Sequence, residues 1–208
     1  MQNLLSIINK FTTFATKLNN SKIKMYRKFF VCISGLLVML AALCMVACGN
    51  DDDDVYSDQD DETAIIKVGM AAPDFELTGM DGSKVSSESL RGQVYILNFF
   101  ETTCPDCRRE FPVLQKIYEK YGEVVPLMNV PRREAVEDAE AYWKENGLTM
   151  PIYSDGAQRL YYQFATRRIP RTYVIGADGK VKASFADSPV ADFISLEKAL
   201  REAMTIDN

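Results

Sequence analysis

The strongest constraint on the fold of this chain is an apolar run that leads directly into two closely spaced cysteines. Residues 93–100 are nearly all apolar, as in a central strand that is buried on both faces. A Cys-Pro-Asp-Cys motif follows at 104–107, and residues 105–121 have apolar side chains at helical spacing with proline in the first turn. The sequence therefore predicts a buried strand, a turn that carries the cysteines, and a helix.

This placement suits thiol chemistry. Unpaired N–H groups and the helix dipole at a helix N-terminus stabilise a thiolate at Cys104. Cys107 lies one helical turn further along, so it can form a disulfide with Cys104 and resolve a mixed disulfide between Cys104 and a substrate. We therefore predict a redox-active pair in which Cys104 attacks and Cys107 resolves.

Two other uses of the pair are less well supported. A structural disulfide across two residues closes a short loop and constrains the unfolded chain little. A zinc site needs further ligands, but the chain has no histidine, and its other cysteines (Cys32, Cys44 and Cys48) lie in the leader described below. The lack of histidine also excludes catalysis by Ser–His or Cys–His pairs. We expect neither a metal nor a cofactor.

The first 48 residues have the composition of an export signal. Residues 29–47 are uncharged and mostly apolar, follow Arg27 and Lys28, and end at Cys48. The apolar–Val–Ala–Cys ending resembles a bacterial lipobox, which implies cleavage before Cys48 and its lipidation. An uncleaved membrane anchor is the alternative. Both place the rest of the chain outside the cytoplasm, because positive charge stays inside.

A strongly acidic segment follows, in which eight residues between 51 and 62 are Asp or Glu. This composition predicts a solvated tether, and it resembles the acidic run of surface-exported lipoproteins in some Gram-negative bacteria. We thus predict a signal over 1–48, a tether over 49–64 and a folded domain over 65–208. The protein is expected in the bacterial cell envelope, facing the periplasm or the outer surface. The near-neutral domain argues against a nucleic acid partner.

Strands and helices alternate through the predicted domain. An Asp-Gly turn at 81–82 predicts a hairpin between residues 75–77 and 84–85. The other predicted elements are strands at 124–130, 171–175 and 180–185, and helices at 134–145, 156–165 and 191–204. This order indicates an α/β domain with a mixed central sheet.

From about residue 69 onward, the chain resembles the TlpA/ResA-like branch of the thioredoxin superfamily. The matching residues are Ala-Pro-Asp-Phe at 72–75, Leu-Asn-Phe-Phe at 97–100, Arg108, Glu110, Pro112, and Ile-Pro at 169–170. The resemblance implies a thioredoxin-like fold with an N-terminal hairpin and a helical insertion at about 131–151. It also implies that Pro170 is cis, packs beside the cysteines and presents the backbone of Ile169 to substrate.

The same resemblance implies a thiol–disulfide oxidoreductase that reduces protein disulfides with electrons from an upstream thiol donor. The chain departs from the family pattern near the cysteines, where Thr103 replaces the usual Trp and Glu101 a small residue. Asp106 places a negative charge near the thiolate, which opposes the helix dipole and favours a reducing protein. Arg108 and Arg109 can offset this charge.

The proton acceptor of the reaction must also be identified. Asn98 stands where thioredoxin has a buried Asp, so another residue has to take this role. Glu110, one turn after the cysteines, is our candidate. An ordinary acidic residue in the first turns of a helix is the equally weighted alternative.

Two other functions are compatible with this fold. Peroxiredoxins need Pro seven and Thr three residues before the reactive Cys, but this chain has Leu97 and Glu101 there. A surface-displayed binding module without catalysis is the second alternative. The intact motif and Ile169-Pro170 argue against it, whereas the missing Trp is compatible with it.

Overall fold

A mixed four-stranded sheet lies at the centre of the part of the chain that the computed structural model describes, residues 61–206. In chain order the elements are β1 (Glu76–Gly79), β2 (Lys84–Ser86), β3 (Tyr95–Phe100), α1 (Pro105–Tyr121), β4 (Leu127–Pro131), α2 (Val136–Asn146), β5 (Tyr153–Ser154), α3 (Tyr161–Phe164), β6 (Arg171–Ile175), β7 (Val181–Phe185) and α4 (Phe193–Ile206). The sheet has the order β4-β3-β6-β7, in which only β3 and β4 are parallel. A small antiparallel sheet has the order β2-β1-β5. The predicted α/β class with a mixed sheet is confirmed.

Strand β3 is buried along its whole length, as the apolar run predicts. Successive side chains of a strand point to opposite faces. Ile96 and Phe100 therefore pack against α1 and α4, whereas Leu97 and Phe99 pack in a second cluster with α3. By the same alternation, Asn98 points towards α1, and this places a polar side chain under the helix that carries the cysteines.

Helix α1 begins and ends where the sequence predicts, with Gly122 as its C-cap. Its first residue is Pro105, whose missing N–H costs no hydrogen bond at that position. Phe111, Leu114 and Ile117 form the buried stripe of the helix. The helix is thereby held on the sheet, and its N-terminus lies at the end of β3.

The prediction of a helix over residues 156–165 is wrong for most of that stretch, since only Tyr161–Phe164 (α3) is helical within it. The carboxylate of Asp155 accepts hydrogen bonds from the backbone N–H of Gln158 at 2.5 Å and of Leu160 at 2.7 Å. Gln158 itself has a positive φ of 52°. These local bonds to Asp155 hold a turn where the first helical turns were expected.

Other elements also begin later than predicted, among them β4 and α2. The backbone N–H of Val125 bonds to the Tyr121 carbonyl at 2.8 Å and prolongs the end of α1, so β4 begins only at Leu127. Helix α2 begins at Val136 because the backbone of Ala135 is still extended.

The last residues of the predicted tether belong to the folded domain. The fully buried side chain of Arg171 forms an ion pair with Asp61 at 2.5 Å and a hydrogen bond with Thr63. Burial by itself would raise the pKa of Asp61, but hydrogen bonds from Thr63 and Arg171 outweigh it and lower that pKa to about 2. Among the described residues, the contacts of the domain thus include Asp61, which lies before the predicted boundary at residue 65.

The predicted signal over 1–48, including the candidate lipidation site Cys48, lies outside the described residues, as does the tether before residue 61. None of the helices between residues 61 and 206 is both long and apolar enough to cross a bilayer. The same part of the chain has no cluster of three or more cysteine, histidine or carboxylate side chains that could hold a metal ion.

Replacing Asp61 with alanine is expected to lower the free energy of unfolding by about 3 kcal/mol, because the buried guanidinium of Arg171 would lose its charged partner. Glu62→Ala is the matched control, since it removes the same charge from an exposed side chain and should cost less than about 0.5 kcal/mol. Chemical denaturation of the three proteins measures the difference.

The effect of Asp61→Ala should depend on pH in a defined direction. Because folding lowers the pKa of Asp61, its contribution is fully present above the ordinary value of 3.8 and is lost as the pH falls towards 2. Wild type and Asp61→Ala should therefore converge in stability at acid pH. Equal stability of the two proteins at neutral pH would contradict this role of the ion pair.

Candidate active site

The two cysteines of the motif lie at the junction of β3 and α1. Cys104 is the N-cap of α1, with an extended backbone (φ −79°, ψ 123°) and no capping hydrogen bond from its side chain. Cys104 is partly exposed, Cys107 is fully buried, and both thiols are free. One sulfur can therefore meet a substrate next to the first N–H groups of a helix, and the other cannot.

The Ile169–Pro170 peptide bond is cis, as the resemblance implies. Pro170 directly precedes β6, whose first residue Arg171 pairs with Phe99 of β3. This register places the start of β6 beside the end of β3. As a result, the Cys104 sulfur lies 3.7 Å from the carbonyl oxygen of Ile169. The motif and the cis-proline segment, far apart in the sequence, are thus neighbours.

Glu110 is fully buried on the inner face of α1. Its Oε2 atom accepts a hydrogen bond from Asn98 Nδ2 at 3.0 Å, and its Oε1 atom accepts one from the Thr172 hydroxyl at 2.8 Å. Burial raises the pKa of Glu110 to about 7, although both hydrogen bonds oppose the rise. A carboxyl group with this pKa can exchange a proton near neutral pH.

The thiol of Cys107 is buried on the same helix as Glu110. Burial raises the pKa of Cys107 far above its ordinary value, and the charges of Cys104 and Glu110 raise it further. Cys107 is therefore a protonated thiol in the reduced protein. Glu110 lies three residues further along α1, and residues at this spacing share one face of a helix.

The charged residues around the motif are paired with one another or with the backbone. Asp106 forms an ion pair with Arg109 at 2.6 Å, whereas Arg108 Nε donates to the Thr102 carbonyl at 2.5 Å. Thr103, which stands in place of the usual Trp, is exposed. Asp106 is thus not an isolated negative charge beside Cys104, because Arg109 offsets it.

Two polar residues of this region, Thr172 and Glu134, were not predicted from the sequence to belong to the site. Thr172 faces Asn98 in the register of β3 and β6, and two polar side chains within two buried strands are a signal that could have identified it. Glu134 was expected in a helix, but it precedes α2 and contacts the turn before Cys104. No sequence signal marks that contact.

Comparison with known proteins agrees with the geometry. A family model described as Redoxin matches residues 67–200. The chain belongs to the redoxin family. The thiol-disulfide oxidoreductase ResA of Geobacillus thermodenitrificans is 32% identical to this redoxin over 150 residues, which cover 71% of the chain and 80% of the relative. This redoxin is a thiol–disulfide oxidoreductase of the ResA-like group.

Solved structures agree on the fold of the redoxin. A provisionally named protein disulfide isomerase from Bacteroides thetaiotaomicron has a TM-score of 0.64 and 30% identity, with 69% of this chain and 93% of that protein covered. A thio-disulfide isomerase from Thermus thermophilus has a TM-score of 0.56 and 28% identity, with 66% and 97% covered. The predicted thioredoxin-like fold is therefore confirmed.

At the two positions where a peroxiredoxin carries Pro and Thr, this redoxin has Leu97 and Glu101. Leu97 is fully buried in β3 and forms part of the core. The carboxylate of Glu101 is paired with Arg132 at 3.5 Å and with Arg133 at 3.1 Å. Neither side chain matches the Pro and Thr of the peroxiredoxin site.

Proposed function

We propose that Cys104 is the nucleophile of this redoxin and that Cys107 resolves the mixed disulfide. Glu110 takes the proton of Cys107, and Ile169 with the cis-Pro170 forms the edge on which a substrate polypeptide docks. The observation that carries the proposal is the partly exposed Cys104 at a helix N-terminus, next to a fully buried Cys107.

The reaction has two exchange steps. The Cys104 thiolate attacks one sulfur of a substrate disulfide, so that the substrate bond breaks and one substrate thiolate leaves. Glu110 then accepts the Cys107 proton, and the Cys107 thiolate attacks the Cys104 sulfur. The second substrate thiolate leaves, and two electrons have passed from the protein to the substrate. A thiol donor must afterwards reduce the Cys104–Cys107 disulfide.

The proposed location and partners follow from the sequence beyond the domain. Cleavage before Cys48 and its lipidation would tether the domain to a membrane of the bacterial cell envelope. The acidic segment from residue 49 would act as the spacer, with the domain facing the periplasm or the outer surface. The substrates are then disulfides of extracytoplasmic proteins. The folded domain is proposed to include Asp61 as well, because Asp61 forms an ion pair with Arg171.

The reduction potential of the Cys104–Cys107 pair tests the proposal. We expect the full chain, purified in detergent and equilibrated with glutathione or dithiothreitol buffers, to have a potential near or below about −270 mV, as expected for a reductant. A potential near about −120 mV would reverse the direction and make disulfide formation the function. If no reversible two-electron couple exists, the oxidoreductase role fails and the binding-module alternative is favoured. Cys104→Ser provides the baseline for this measurement.

A further inference from the structure

The turn between β3 and α1 is bound by a carboxylate from the predicted insertion. Glu134 lies between β4 and α2, and its two carboxylate oxygens accept the Thr102 backbone N–H at 2.9 and 3.1 Å. Its Oε2 atom also accepts the Thr102 hydroxyl at 2.6 Å. Thr102 is only 7% exposed and lies two residues before Cys104. We propose that Glu134 is a positioning residue, which acts through Thr102 to hold the Cys104 sulfur where it can form the disulfide with Cys107.

The remaining polar group of Thr102 is also engaged. Its carbonyl oxygen accepts a hydrogen bond from Arg108 Nε at 2.5 Å. The Arg108 guanidinium in turn lies 5.3 Å from the centre of the Tyr142 ring in α2. Side chains thus bind the N–H, the hydroxyl and the carbonyl of one residue, and Glu134 supplies the partner for both donors.

A second contact joins the same two segments. The carboxylate of Glu101 pairs with Arg132 and Arg133, which directly precede Glu134. The backbone N–H of Arg132 bonds to the Phe100 carbonyl at 2.9 Å and so aligns this segment with the end of β3. Two consecutive residues of the turn are therefore fixed by side chains of one short segment.

The sulfur position depends on this turn. The backbone N–H of Cys104 bonds to the Glu101 carbonyl at 3.1 Å, which closes the turn around Thr102. The Cys104 side chain makes no capping bond, and its sulfur lies 3.7 Å from the Ile169 carbonyl oxygen. Without Glu134, the buried N–H and the hydroxyl of Thr102 would lose their acceptor. The turn would then sample other conformations, and Cys104 would spend less time within reach of Cys107.

The positioning role of Glu134 rests on the proposed function. It predicts a change in the equilibrium constant for closing the Cys104–Cys107 disulfide. Closure of a disulfide within one chain is favoured by the effective concentration of one thiol near the other, which falls when their relative position is less well held. We expect Glu134→Ala to lower the equilibrium constant for closing the Cys104–Cys107 disulfide against glutathione by about tenfold. At 29.6 mV per tenfold change, this corresponds to a potential less negative by about 30 mV.

Two further variants separate positioning from charge. Glu134→Gln removes the charge but keeps an oxygen for the Thr102 N–H, and its amide group can donate to the Thr102 hydroxyl, so its constant should stay within about threefold of wild type. Glu140→Ala removes the same charge from an exposed position of α2, and its constant should stay within about twofold. Full-length proteins in detergent are equilibrated with glutathione, alkylated, and analysed by mass for the oxidised fraction.

Specific results would overturn the inference. If Glu134→Gln lowers the constant as far as Glu134→Ala, the residue acts through its charge and not through position. If Glu134→Ala folds and keeps the wild-type constant, Glu134 has no role in positioning. Should Glu134→Ala fail to fold, Glu134→Asp replaces it as a test, because the shorter side chain withdraws the carboxylate from both the N–H and the hydroxyl of Thr102. An unchanged constant in that variant would also overturn the inference. If wild type itself shows no reversible couple, it is the proposed function that fails.

Discussion

Replacing Cys107 with alanine is expected to stop turnover and to leave Cys104 joined covalently to a substrate protein. Cys104 can still attack a disulfide, because it is partly exposed at the N-terminus of α1. The buried thiol that would release the substrate is absent, so the mixed disulfide persists. Incubation with a disulfide-containing protein, followed by non-reducing electrophoresis and mass spectrometry, should identify a covalent complex. Dithiothreitol should separate this complex by reducing the mixed disulfide.

The reciprocal variant is the control for this trap. Cys104→Ala leaves Cys107 as the one cysteine of the motif, and Cys107 is fully buried and has a pKa far above the ordinary value because of that burial. It should therefore form no complex and should reduce disulfides no faster than the uncatalysed background. A stable complex through Cys107 would contradict the assigned roles. Peroxide turnover that survives Cys107→Ala, which retains only Cys104 of the motif, would instead support the peroxiredoxin alternative.

Replacing Glu110 with glutamine is expected to slow resolution of the mixed disulfide by about 100-fold, the lower end of what a general base contributes. Gln has nearly the same shape and can be held by the same neighbours, Asn98 and Thr172, but it cannot accept the Cys107 proton. Attack by Cys104 should change much less. Rapid mixing of the reduced protein with a disulfide substrate, quenched by acid, separates the two steps.

The pH dependence distinguishes a base from a structural residue. Burial raises the pKa of Glu110 to about 7, so the carboxyl becomes ionised as the pH rises through that value. In wild type, the resolution rate should increase with pH and level off above about 7, whereas in Glu110→Gln this step of the profile should be absent. A profile with the same midpoint in both proteins would show that another group is the base.

The stability of the fold should fall as the pH rises towards 7, whereas the resolution rate should increase. A carboxyl whose pKa is higher in the folded than in the unfolded protein stabilises the fold below its ordinary value of 4.5, and that contribution is lost as the pH rises to about 7. Relative to Glu110→Gln, wild type should therefore become less stable between these pH values. The buried carboxylate would thus be retained for catalysis at a cost in stability.

Much of the fold could be predicted because its signals are local. The apolar run that becomes β3, the proline that begins α1 and the helical spacing of Phe111 and Leu114 depend on neighbours in the sequence and on simple burial. Local signals were insufficient at residues 156–165, where hydrogen bonds from the backbone to Asp155 replace most of the predicted helix. Helical spacing does not report whether a nearby side chain competes for the same N–H groups.

By itself, the sequence determined the α/β class, the helix N-terminus that carries Cys104, and the choice of Cys104 and Cys107 as the chemical centre. The motif combines strand, turn and helix in one short stretch, and each part is encoded where it lies. Only the tertiary structure decided that Glu110 is buried against Asn98. It also decided that Glu134 binds the turn before the cysteines and that Asp61 belongs to the domain. These contacts join residues that are distant in sequence. Whether a carboxyl is a solvated helix residue or a buried base depends on the strands packed against it, which the spacing along one helix does not encode.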